Sequence, residues 1–132
     1  MSYLVDFLNA RLDEDEAAAN AALAAYESDA GDTWWTRPEL VVELGLHMED
    51  ESEAIHMSRW SPERVLRDVE AKRKILELHL PMGFASPPGW ATLTSKTWCQ
   101  ECSPASGTWP CGTLRTLAAV HSDHPDYDKA WS

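Results

Sequence analysis

Apolar residues in the first part of the chain recur at three- and four-residue intervals. Leu4, Leu8, Leu12, Ala19, Leu23 and Tyr26 fall on one face of a helix, and Ser2 is a suitable N-cap. The spacing predicts a helix over 3–27, stopped at Asp29-Ala-Gly31. A second amphipathic helix is predicted over 62–79. Ser61 caps it, Pro62 takes the first helical position and Glu63 complements the helix dipole. Val65, Leu66, Val69 and Leu76 form its buried stripe, with Ile75 alongside. Asp68–Lys72 and Glu70–Lys74 stand at i,i+4 in the favourable orientation.

Between these helices the pattern changes. Leu40-Val-Val-Glu-Leu-Gly-Leu46 is β-branched and apolar and reads as a strand, with helix as the alternative because Pro38-Glu39 also suits a first helical turn. Glu49-Asp-Glu-Ser-Glu53 reads as a charged turn and Ala54-Ile-His-Met57 as a short return strand. Residues 81–110 read as a long loop rich in Pro, Ser and Thr. A last helix follows at 110–120, then a short tail that Asp123 can cap. The expected fold is α+β, mostly α: two long packed helices, a small β-hairpin, a cysteine-containing loop and a short C-terminal helix. The 132 residues fit a single domain, 1–132.

A loop of that length needs something to organise it, and its cysteines are the candidate. Cys99-Gln-Glu-Cys102 is a C-x2-C pair whose backbone can turn two thiolates toward one ion, and Cys111 follows at a helix start, where a thiolate is favoured. A tetrahedral Zn²⁺ needs a fourth ligand, for which His79, His121 and His124 compete. A helix of two turns between Cys111 and His121 separates those two by about 12–15 Å. The expected site is a structural zinc held by Cys99, Cys102 and Cys111 with His79 or His124. The alternatives are three reduced, buried cysteines or a redox pair. His47 and His56 flank the acidic turn and read as incidental, and Asp13-Glu-Asp-Glu16 points around its helix instead of converging on a cation.

Charge narrows the function classes. The chain carries a net charge of −11, and the acidic excess lies in residues 1–61. Direct binding to a nucleic-acid backbone needs clustered Lys and Arg and is not expected. A basic protein partner, or mimicry of DNA by the acidic helix at 6–16, is compatible. Three cysteines form no complete disulfide framework, the N-terminus lacks the basic start of a signal peptide, and no apolar run is long enough to span a bilayer. A cytoplasmic location without membrane contact is the expectation. Seven tryptophans are expected to supply core and lid packing, with a homodimer through exposed indoles as a further reading.

Three stretches carry a resemblance: Leu4-Val-Asp-Phe-Leu-Asn-Ala-Arg-Leu-Asp-Glu-Asp-Glu16, the run from Trp60-Ser-Pro-Glu-Arg-Val-Leu to Glu77-Leu-His79, and Trp109-Pro-Cys-Gly-Thr-Leu-Arg through His124-Pro-Asp-Tyr127. In order and spacing they resemble a family of small uncharacterised proteins of actinobacteria and their bacteriophages. The resemblance implies helix, small β element, helix, loop, helix, and supplies no catalytic residue. Relatives without the cysteines would make a metal a local stabiliser. The functional expectation is a non-enzymatic interaction or regulatory factor, phage-encoded and acting in the host cytoplasm. Its rivals are a DNA mimic and a metal- or thiol-dependent enzyme using Cys99, Cys102 and Cys111.

Overall fold

The computed structural model of the chain describes residues 3–26, 51–82, 97–102 and 109–132. Helix α1 runs Tyr3–Tyr26, as its apolar spacing predicts: Leu4, Leu8, Leu12 and Ala19 are buried and Leu23 is half-buried. Helix α2, Glu51–Arg59, replaces the expected return strand. Within it Ala54 is fully buried while Ile55, His56 and Met57 are exposed, a one-sided burial that a two-residue strand period would not give. Its first residues are acidic and its last turn holds His56 and Arg59, which suits the dipole at both ends. The expected strand at 40–46 lies outside the described residues, as do Ser2, Gly31 and His47.

Helix α3, Pro62–Leu78, begins where the sequence places it. Ser61 Oγ accepts from the Arg64 N–H at 3.3 Å, and the Ser61 carbonyl accepts from Val65 N–H at 2.9 Å. Val69 and Leu76 are buried; Val65, Leu66 and Ile75 are half-buried. The β pairing falls inside the region read as loop: β1, Pro81–Met82, runs antiparallel to β2, Trp98–Cys99, with Pro81 opposite Cys99 and Met82 opposite Trp98. Helix α4, Gly112–Ala119, buries Leu114 and Ala118 completely. A single 3₁₀ turn, Lys129–Trp131, follows, capped by Asp128, whose carboxylate accepts from Ala130 N–H at 2.9 Å. Asp128 thus takes the capping role that the sequence assigned to Asp123.

The chain divides into two compact units, Met1–Arg11 with Lys72–Ser132, and Leu12–Ala71. Among the described residues, the buried positions of the first are Leu4, Phe7, Leu8, Arg11, Leu76, Cys99, Cys111, Leu114 and Ala118; those of the second are Leu12, Ala19, Ala54, Pro62 and Val69. Of the core and lid roles expected of the tryptophans, none of the described ones takes the core role. Trp98, Trp109 and Trp131 are only half-buried, and Trp60 is 53% exposed. The Trp60 ring is covered by the Arg64 guanidinium, 4.7 Å from its centroid, a cation–π contact that lets an indole stay at the surface. No helix among the described residues is long and apolar enough to cross a membrane.

Candidate metal centre

The last turn of α3 closes with His79 N–H donating to the Ile75 carbonyl at 3.1 Å. The helix thereby presents an imidazole at its C-terminal end, immediately before β1. The short ladder then returns the chain to it: Gln100 N–H donates to the Leu80 carbonyl at 2.9 Å, which fixes Cys99 and the turn after it beside His79. Trp109 N–H donates to the Thr97 carbonyl at 3.0 Å, bringing the next segment alongside. Cys111 follows in extended conformation as the N-cap residue of α4, with no side-chain cap hydrogen bond. Its sulfur is therefore not committed to capping the helix.

These constraints gather four donors. His79, Cys99, Cys102 and Cys111 place their ligand atoms within 4.8 Å of one another. His79 Nδ1 lies 3.2 Å from Cys99 Sγ, 3.4 Å from Cys102 Sγ and 3.5 Å from Cys111 Sγ. A tetrahedral ion with ordinary zinc–sulfur and zinc–nitrogen bond lengths has nitrogen-to-sulfur edges of about 3.5 Å. The near-equal distances to three sulfurs match a tetrahedron with Nδ1 at one vertex. Cys99 and Cys111 are buried, His79 and Cys102 half-buried, and none of the thiols is in a disulfide.

The electrostatics of the thiols differ. Burial opposes ionisation of Cys99, but the Cys102 backbone N–H, the His79 ring and the Glu101 backbone N–H outweigh it and bring the thiol down to about 7. Backbone N–H groups directed at the first sulfur of a C-x2-C turn favour its thiolate, the form that binds metal. Cys102 moves the other way, to about 11, because burial and then its contacts with the Cys99 and Cys111 sulfurs all disfavour a second negative charge. A cluster of thiols crowded at this distance needs protons or a cation. A divalent ion would supply the second, drawing three thiolates and a neutral imidazole into one shell.

Of His79, His121 and His124, which compete as fourth ligand, the structure brings His79 to the cysteines. His124 sits in a separate cluster built on α1. Its Nδ1 accepts from the Asp126 backbone N–H at 3.1 Å, and Arg11 Nη1 lies 2.8 Å from that atom and 2.6 Å from Nε2. The Phe7 ring centroid is 5.6 Å from that of His124, 6.1 Å from those of His121 and Tyr127, and 5.1 Å from that of Trp131. The sequence pattern does not announce this aromatic cluster. Its partners lie at opposite ends of the chain, and no local spacing announces them. His56 is exposed on α2.

Neither a curated protein nor a solved structure matches the chain significantly. A family model, in contrast, matches residues 1–132 without a gap at either end. With its helices, short β pairing and cysteine-bearing loop, the chain belongs to the family of unknown function DUF6221.

Proposed function

We propose that the protein is a non-enzymatic interaction factor whose C-terminal helix is fixed by one structural zinc ion bound to His79, Cys99, Cys102 and Cys111. The observation that carries this reading is the position of His79 Nδ1, at 3.2–3.5 Å from three sulfurs. Four protein donors saturate a tetrahedral ion and leave no coordination position for water or substrate, which is the pattern of structural zinc sites. Three thiolates and one imidazole are a soft donor set that suits zinc over magnesium or calcium. The acidic excess, net −11, supports a basic protein as the partner. The likeness of its three motifs to proteins of actinobacteria and their phages supports a phage-encoded factor acting on a host protein in the host cytoplasm.

Native mass spectrometry of protein purified without chelator tests the reading. One zinc ion per chain is expected, lost in Cys102→Ser and in His79→Ala. Zinc retained in His79→Ala, or a metal-free protein that takes up no added zinc, would overturn it. A metal-free protein in which Cys99 is alkylated fastest would favour thiol chemistry, the reading that its pKa of about 7 supports. The same spectra report whether the chain is a monomer or a homodimer.

A further inference from the structure

Beside the Phe7 cluster, a cleft of about 400 Å³ opens between the first turns of α1 and the segment that ends in the 3₁₀ turn. Tyr3, Phe7 and Trp131 give it three aromatic walls, and Asp126 and Asp128 give it two carboxylates. Asp6 follows Tyr3 by three residues and precedes Ala10, another lining residue, by four. It therefore stands on the rim of the same helical face. Among the described residues Arg11 is the one cation of the lining, and its charge is committed: the guanidinium carbon lies 5.1 Å from the Phe7 ring centroid, and Nη1 meets the His124 ring. Asp128 uses one carboxylate oxygen on the Ala130 N–H. The Asp126 side chain is 77% exposed, with the His124 ring 3.9 Å from its carboxylate. Tyr3 is 82% exposed.

We infer that this cleft receives a cationic side chain, an arginine or lysine, of a basic protein partner. The inference rests on the interaction-factor reading and names the part of the surface that does the recognising. Carboxylates at the rim attract the charge, and aromatic faces hold the cation's flat or methylene portion once water is displaced. Arginine is the better fit, because a guanidinium stacks on rings as well as pairing with carboxylates. The protein already makes that stacking twice on its own rings, Arg11 on Phe7 and Arg64 on Trp60.

The test titrates the isotopically labelled, zinc-loaded full chain with blocked tri-arginine and tri-lysine peptides and a neutral peptide of equal length, followed by NMR. The expected result is a saturable shift of the Trp131 indole N–H and of the amides of 126–131, tighter for arginine and absent for the neutral peptide. Asp126→Asn with Asp128→Asn keeps the 3₁₀ cap, since Asn also caps, and is expected to weaken binding at least tenfold. Trp131→Leu is expected to weaken it with every carboxylate in place. Shifts centred on Asp13–Glu16 with affinity unchanged in the double variant would overturn the cleft and leave the basic-partner reading standing. Equal binding of the neutral peptide would overturn recognition by charge. Binding of neither basic peptide would overturn both the cleft and the basic partner.

Discussion

His79 Nδ1 and Cys111 Sγ stand 3.5 Å apart although 32 residues separate them in the chain. One belongs to the end of α3 and the other to the start of α4, so a single ion bound to both ties two helices through their facing termini. Neither residue needs the other for its local conformation. His79 is set by the helix bond to Ile75, and Cys111 by the extended backbone that precedes Gly112.

Removal of the ion should therefore be felt as lost stability. A ligand held at about a thousand times its dissociation constant contributes about 4 kcal/mol to the folded state. Chelator added to the zinc-loaded protein is expected to lower the thermal midpoint by several degrees or more, with full recovery on adding zinc back. Cys111→Ser is expected to show the low midpoint from the start and to ignore chelator. Differential scanning calorimetry checks both.

The metal-free protein should respond to pH through two cysteines in opposite directions. The Cys99 thiol is lowered from 9.0 to about 7, so its contribution to stability is full above pH 9 and is lost as pH falls through 7. The Cys102 thiol is raised from 9.0 to about 11; its contribution is full below pH 9 and is lost as pH rises through 11. Ultraviolet thiolate absorbance of metal-free protein is expected to show a first step near pH 7 that Cys99→Ser abolishes and Cys102→Ser leaves in place. Zinc uptake should release fewer protons above that step than below it.

Leu114 is the larger of the two side chains of α4 with no exposure at all, the other being Ala118. Leu114→Ala removes a buried isopropyl group and leaves a cavity, at a cost of about 2–5 kcal/mol. Urea denaturation should show the shift in midpoint with little change in slope. Zinc affinity is expected to fall with it, since α4 starts at a ligand.

Ser61 supplies a cap at the other end of the helix that carries His79. Ser61→Ala removes the acceptor for the Arg64 N–H and is expected to cost about 1 kcal/mol. Zinc stoichiometry should remain one per chain, because the His79 end of α3 lies more than four turns from the cap. The two effects are separable by urea melts and metal analysis on the same sample.

The parts legible in the sequence are those in which a local rule and the packing agree. Leu4, Leu8 and Leu12 announce α1 by spacing alone, and Ser61-Pro62-Glu63 announces the start of α3. Cys99-x2-Cys102 announces a turn that gathers sulfurs. The fourth donor was one of three histidines, because the loop that returns Cys99 to His79 is closed by the two-residue β1–β2 pairing, too short to leave a period in the sequence. Residues 54–57 are ambiguous because four residues with three apolar members fit either period, and the burial of Ala54 decides for a helix only in three dimensions. The Arg11–His124 contact spans 113 residues; such a pair has no signature in a single sequence.

If the four donors share one ion, they do not contribute equally once the unfolded chain is considered. Cross-linking removes conformational freedom that the unfolded chain would otherwise hold, and the amount grows with the logarithm of the segment enclosed. Cys99 and Cys102 enclose a single tight turn, whereas His79 lies 20 residues before Cys99. The longer closure is worth roughly 2 kcal/mol more in loop entropy than the turn. By this measure the imidazole would do the most to narrow the unfolded ensemble. With an ion bound, the cysteine pair would contribute grip on it, and His79 would convert that grip into order along the chain.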